Sequence, residues 1–255
     1  MYYYFDFSIC RILHKQSFSF WQRLNIFFSY TEAGRARDAA LKILHDETNR
    51  VIKLRRQMLM DANIGTMNDV NKSHESNEIG QRRRFAFLDM LLISQMEGNG
   101  LTDTEIREEV DTFMFEGHDT TSSALAFALY LLSQHADVQQ KAYEEALAME
   151  GDEKETMRYL EAVIKETLRI YPSVPFFSRK VSEDLQIGNI TVPKGAAVST
   201  LAYMIHRDEV NFPNPEKFDP ERFMGNSEDM HPFAFVAFSA GPRNCIGKQR
   251  IFGEF

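Results

Sequence analysis

Phe238-Ser239-Ala240-Gly241-Pro242-Arg243-Asn244-Cys245-Ile246-Gly247 is the stretch on which the reading of this 255-residue chain turns. It sets Cys245 in a short loop fenced by Gly241, Pro242 and Gly247. Glycine has no Cβ, so the loop backbone can lie close against whatever faces it. A turn of this kind is expected to aim backbone N–H groups at the sulfur, which favours thiolate over thiol. Arg243, two residues earlier, works in the same direction. A thiolate held this way is a nucleophile or a metal ligand. The plain alternative is a buried free cysteine that packs as a small hydrophobe.

Working outward, the composition narrows the field. Hydrophobic residues make up 44% and charged residues 26%, a globular balance. The length suits one large domain or two small ones. A net charge of −8 argues against nucleic acid as a partner. The two cysteines, Cys10 and Cys245, lie far apart, which gives no disulfide framework and suits a reducing compartment. No apolar run reaches the length of a membrane span. The start, Met1 to Phe7, is broken by Asp6 and lacks the features of a signal peptide. Residues 1–33 are rich in aromatics. Phe18, Phe20, Trp21, Leu24, Phe27 and Phe28 suit a helix face turned to a core or to a membrane, and aromatics more often fill interiors.

Residues 34–60 read as a long helix. Ala40, Leu44, Thr48, Val51, Leu54 and Met58 recur at three- and four-residue steps and mark its expected buried face. Residues 61–84 are polar, with Arg82-Arg83-Arg84 as an exposed helix start, and 85–96 form a short apolar helix. Thr102-Asp103-Thr104-Glu105 is a capping box. A helix pattern without proline then runs to about His135. Its middle, Glu116-Gly117-His118-Asp119-Thr120-Thr121-Ser122-Ser123, is rich in glycine and small hydroxyl residues. Their side chains compete for backbone hydrogen bonds, so a kink or a widened turn is expected there. Glu116 and Thr120, four apart, share a face with Gly117 beside them, and Asp119 sets an acid next to the Thr120 alcohol. The open alternative is an ordinary helix, mildly destabilised.

Residues 137–151 continue as charged helix with a short Gly-Asp turn, and 154–171 form another helix with a stripe of Leu160, Ile164, Leu168 and Tyr171. Glu166 and Arg169 stand three apart on one face of it. Pro172 to Pro175 end it. Leu185–Ile187 and Ile190–Val192 around Gly188-Asn189 read as a β-hairpin, Ala197 to Met204 as a strand, and Phe212 to Phe223 as an irregular, proline-rich meander. The fold class is therefore mainly α with a small β region, α+β.

The pattern Phe238-x-x-Gly241-x-Arg243-x-Cys245-x-Gly247 resembles the haem-binding loop of the cytochrome P450 superfamily. Two further motifs occur in the family's order. Asp119-Thr120 resembles its oxygen-activating helix, and Glu166-x-x-Arg169 followed by Pro220-Glu221-Arg222-Phe223 resembles its buried Glu-Arg-Arg triad. Glu109 through Thr120 looks like the fourth family, the fatty-acid ω-hydroxylase branch. The resemblance covers about residues 30–255.

This resemblance implies a partial haem-thiolate domain across residues 1–255, with haem b (iron protoporphyrin IX) as cofactor. Cys245 would be the axial iron ligand. Arg179 and Arg243 match positions that grip the haem propionates, and Phe238 and Gly117 complete the cofactor-facing set. Glu116 matches a glutamate that can be esterified to a haem methyl. In the family the threonine hydroxyl holds dioxygen and the acid beside it feeds protons, the roles carried to Thr120 and Asp119. Glu166, Arg169 and Arg222 would lock the cysteine loop.

The implied activity is insertion of one atom of O2 into a C–H bond of a fatty acid or other lipophilic substrate. Electrons would come from NADPH through a reductase. Lys248 and Arg250 are then reductase contacts or plain solvated charges. Family members are about twice this length, their N-terminal half supplying a membrane anchor and much of the substrate pocket. The full-length parent is expected in the endoplasmic reticulum membrane, this chain having no anchor of its own. Two other readings remain: a truncated, inactive fragment unable to hold haem, and a haem-thiolate isomerase that needs no reductase. Such isomerases often lose the acid-alcohol pair, which is present here.

Overall fold

A computed structural model of the chain describes residues 28–66, 86–148, 157–225 and 230–248. Most of the aromatic start, Cys10, Arg82 to Arg84, the Gly151-Asp152 turn and Arg250 lie outside the described residues. The chain divides into two compact units, Met1–Glu116 and Gly117–Phe255.

The first unit is helical. Helix α1, Glu32–Asp61, starts at Thr31, whose hydroxyl accepts the Gly34 N–H. Helix α2 is Phe87–Met96 and helix α3 is Asp103–Gln134, the latter running on into the second unit. The Thr102/Glu105 capping box is formed in both directions. The Thr102 N–H donates to the Glu105 carboxylate at 2.8 Å, and the Glu105 N–H donates to the Thr102 hydroxyl at 3.2 Å. The Thr102 N–H and then its hydroxyl, both donating to the carboxylate, hold the Glu105 carboxyl below its usual pKa of 4.5. The core joins Ile52 and Leu59 of α1, Leu92 and Ile93 of α2, and Ile106 and Val110 of α3.

That core corrects the buried face expected for α1. Ala40 and Thr48 are buried, but Val51, Leu54 and Met58 are exposed. Ile52 and Leu59, on the neighbouring stripe, go inside instead. Both stripes pass through Thr48, whose hydroxyl donates to Asp111 of α3 at 2.6 Å. Packing on α2 and α3 chooses between them, and the steps along α1 alone do not.

In the second unit α3 is followed by α4, Ala136–Ala148, and α5, Arg158–Ile170. Glu145 of α4 accepts the N–H groups of Tyr159 and Leu160, both at 2.8 Å. Those are orphan donors of the first turn of α5, so the cap comes from the preceding helix. Of the expected stripe on α5, Ile164 and Leu168 are buried while Leu160 and Tyr171 are half-buried. Tyr159, Val163 and Ile170 are buried too and join Leu131, Val138, Ala142 and Phe218 in one core.

Two small antiparallel sheets complete this unit. Strand β1, Phe177–Lys180, pairs with β4, Ala197–Thr200, in the register Phe177 opposite Thr200 and Lys180 opposite Ala197. Strand β2, Leu185–Ile187, pairs with β3, Ile190–Val192, as the hairpin expectation held, with Gly188 at φ 56° in the turn. The expected strand from Ala197 to Met204 stops at Thr200. Ala202–Ile205 is a short helix, α6, fixed to the segment after α5 by the Tyr203 N–H on the Pro175 carbonyl at 3.0 Å. Among the described residues no helix is long and apolar enough to cross a membrane.

Candidate functional site

The cysteine loop is built by turns. Ser239 and Gly241 take the left-handed conformation at φ 60° and 79°, which glycine adopts without strain and serine does not. A 3-10 turn, Gly241–Arg243, follows. The Cys245 N–H donates to the Phe238 carbonyl at 2.9 Å and closes the loop, and the Asn244 N–H donates to the Gly241 carbonyl at 3.1 Å. Cys245 is a free, exposed thiol, which rules out the buried-cysteine reading. The expectation that N–H groups point at the sulfur is not met among the described residues: the Cys245 and Lys248 amides go to carbonyl oxygens instead. These amides serve the loop's own turns and so are not available to the thiol. Gly247 lies beside the sulfur, where a Cβ would sit 3.8 Å from Sγ, ordinary contact.

Arg179 reaches this loop from strand β1, 64 positions earlier in the chain. Its Nη2 donates to the Arg243 carbonyl at 3.3 Å and its Nη1 to the Ser178 carbonyl at 3.1 Å. Both guanidinium groups are exposed, and among the described residues neither has a carboxylate partner. The two arginines of the sequence reading therefore do converge on the cysteine loop.

Glu116, Gly117, Asp119 and Thr120 stand on α3. Glu116 and Asp119 are exposed and Thr120 is half-buried. A Cβ at Gly117 would meet nothing within 4 Å, so that face of the helix is open. The helix stays α-helical through the whole small-residue stretch, against the kink or widened turn expected there. Ser122 returns its hydroxyl to the Asp119 carbonyl at 3.1 Å, a back-bond that satisfies the side chain without displacing the ladder. Ser173, just past α5, donates to the Thr120 carbonyl at 2.8 Å and ties this stretch to the end of α5.

Glu166, Arg169 and Arg222 come together as expected. Glu166 and Arg169 are both fully buried and form a two-pronged pair, Nε to Oε2 at 2.7 Å and Nη2 to Oε1 at 2.9 Å. The rest of the Arg169 fork is satisfied by carbonyls: Nη1 by His206 at 2.9 Å and Nη2 by Lys217 at 3.1 Å. Arg222, in the 3-10 turn Pro220–Phe223, brings Nε to 3.4 Å from Glu166 Oε1 and donates Nη2 to the Asn214 carbonyl. The Asp219 N–H also donates to Glu166 Oε1 at 2.9 Å. Nearly every lone pair and proton of the buried pair is used, the condition under which such a pair is tolerated.

Sequence reasoning missed His206. It is fully buried and accepts the Val236 N–H at Nε2 at 2.9 Å. Its ring stacks on Phe235 and meets Phe212 edge-on. Burial lowers its pKa from 6.5 to about 4, against an opposite pull from the backbone of Arg169 and Leu168. A single histidine between Ile205 and Arg207 carries no motif, and its partner lies 30 positions away.

The residues present fit an iron porphyrin with two carboxylate arms. They offer a thiol that can bond iron, two guanidinium groups without carboxylates, and a helix face opened by glycine.

A family model described as Cytochrome P450 matches residues 2–250. Probable cytochrome P450 4s3 of Drosophila melanogaster is 68% identical over 243 residues, which is 95% of this chain and 48% of the relative. Cytochrome P450 4V2 of Homo sapiens is 45% identical over 239 residues, 90% of this chain and 45% of the relative. A solved structure, retinoic acid bound cyanobacterial CYP120A1, matches with a TM-score of 0.69 at 29% identity, covering 89% of this chain and 50% of that one. The chain thus spans about half the length of the curated relatives it matches.

Proposed function

The chain belongs to the cytochrome P450 family, and on that premise we propose that it supplies the haem-binding and oxygen-activating part of a haem-thiolate monooxygenase. The observation that carries the reading is Cys245, a free and exposed thiol in a loop closed onto Phe238, with Arg179 reaching the same loop.

Bound haem would supply the activation of O2 for insertion of one oxygen atom into a C–H bond. The chain's own residues do the rest. The Cys245 sulfur, as thiolate, would bond the iron. Arg179 and Arg243 would hold the two propionate carboxylates by charge-assisted hydrogen bonds. Phe238, whose carbonyl closes the loop, belongs with them to the cofactor-facing set. Gly117 leaves the α3 face open for a small molecule. Asp119, exposed to water, takes up a proton on its carboxylate and passes it to the Thr120 hydroxyl, a general-acid role. Glu166, Arg169 and Arg222 hold the segment behind the cysteine loop and touch no reactant.

The finer assignments follow from the likeness to family-four relatives. The cofactor is haem b, and Glu116, exposed on α3, is the residue assigned to an ester with it. The substrate is a fatty acid or comparable lipophilic molecule. The electron donor is an NADPH-dependent reductase, which meets the exposed Lys248 side of the cysteine loop. The whole protein sits at the endoplasmic reticulum membrane, attached through a part other than the residues described.

The test is a carbon monoxide difference spectrum of the reduced protein in a full-length version. A band at the position of thiolate ligation is expected, and its loss in Cys245→Ala. A histidine-type band, or no haem uptake, overturns the reading. Acidified organic extraction then decides the ester: haem that leaves with no mass adduct on the chain rules it out. A second reading is that the 255-residue chain alone does not hold haem. The exposure of Leu125, Phe127 and Leu129 on α3 favours it. Haem titration of that chain separates the two readings, since stoichiometric uptake excludes the second.

A further inference from the structure

We infer that His206 is a positioning residue that fastens the segment leading into the cysteine loop to the buried Glu166–Arg169 pair. The inference deepens the haem-thiolate reading, because the group it positions is the proposed iron ligand.

Hydrogen bonds joined by short stretches of backbone lead from Arg169 to Cys245. Arg169, held by Glu166, donates Nη1 to the His206 carbonyl at 2.9 Å. The ring of the same histidine accepts the Val236 N–H at Nε2. The Val236 carbonyl accepts the Ser239 N–H at 3.0 Å, and the Phe238 carbonyl accepts the Cys245 N–H at 2.9 Å. One residue thus touches the triad with its backbone and the loop segment with its side chain. Val236 is buried, so its N–H has no water to fall back on if the ring is removed.

The contact also specifies a protonation state. Accepting at Nε2 requires that nitrogen to be bare, so the neutral ring carries its proton on Nδ1. Nδ1 is buried and makes no hydrogen bond of ordinary geometry. A second proton would set two N–H groups face to face at Val236. The backbone of Arg169 and Leu168 favours that proton, but burial and the neighbouring cations oppose it and prevail. Arg169 of α5 and Arg207 are the nearby cations, and Glu166 is already committed to Arg169. The meander and the loop segment contribute only Phe212 and Phe235 to the contact.

The experiment is site-resolved hydrogen–deuterium exchange on the 255-residue chain without haem, so it does not depend on the cofactor. His206→Phe keeps an aromatic ring but lacks the acceptor. His206→Gln places an oxygen near Nε2. The Phe variant should lose about tenfold protection at Val236, Ser239 and Cys245, the loss of one ordinary hydrogen bond, with α5 unchanged. The Gln variant should restore it. Wild type should lose the same protection as the pH falls toward 4, and the Gln variant should not. Unchanged protection at the three amides in the Phe variant overturns the inference. Equal loss across α5, or a Gln variant that titrates like wild type, overturns it too. Where the Phe variant does not fold, the comparison of wild type with Gln across pH decides. A latch found by exchange beside a full-length protein without a thiolate band leaves the latch standing and sinks the haem reading. The reverse result sinks only the latch.

Discussion

Helix α5, which carries the buried Glu166–Arg169 pair, and helix α3, which carries the proposed acid and alcohol, are built on opposite terms. In α5 nine of thirteen residues are buried, and its two buried charges, Glu166 and Arg169, pair with each other and are completed by the His206 and Lys217 carbonyls and the Asp219 N–H. In α3, thirty-two residues long, only Ile106, Val110 and Leu131 are buried apolar side chains, while Phe115, Leu125, Phe127, Leu129 and Tyr130 are exposed. The first is finished within this chain. The second presents a surface. A residue that fixes geometry is legible from its partners, whereas one that meets a substrate is legible from what it leaves open.

The sharpest way to break this contrast is at Glu166. Glu166→Ala strands a buried guanidinium and the Asp219 N–H, and should cost about 3–5 kcal/mol, a large part of a domain's stability. Urea unfolding checks it, and a loss below that of an exposed α3 substitution would erase the distinction. Acid attacks the same region next. The folded chain refuses, between pH 6.5 and about 4, a proton that the unfolded chain binds at His206. That contribution is complete above pH 6.5 and is lost as the pH falls toward 4, about 3 kcal/mol in all. The lowered carboxyls of Asp103 and Asp219, ordinarily 3.8, act below this window, while those of Glu47 and Glu105, ordinarily 4.5, begin to act at its lower end and do so equally whether or not His206 is present. Unfolding curves between pH 7 and 4 in wild type and His206→Gln isolate the histidine's share. Ser173→Ala removes one hydrogen bond joining the two helices' neighbourhoods and should cost about 1 kcal/mol. Leu129→Ala, on the exposed face, should change stability by less than about 0.5 kcal/mol in this chain. A larger loss, measured by the same urea curves, would mean that α3 is covered after all.

Much of this was legible in the sequence because local chemistry writes it there. The α3 start follows from Thr102 and Glu105, which need nothing beyond their own turn. The triad was legible because Glu166 and Arg169 share a helix face and Arg222 follows in a recognisable motif. What stayed hidden depended on distant partners. The buried stripe of α1 was decided by α2 and α3. Strand β4 stops at Thr200 because Tyr203 turns to Pro175, and its partner β1 was read only as the site of Arg179. The bonds that complete the triad go to carbonyls of His206, Lys217 and Asn214, and carbonyls have no signature in a sequence.

Glu145 has an effect that reaches past its own two bonds. By seizing the opening amides of α5 from α4, it marks where that helix begins. The connection is thereby relieved of any duty to count. Changes in the length of the connection between α4 and α5 should therefore leave the ionic centre of Glu166 and Arg169, further along the same helix, in its place.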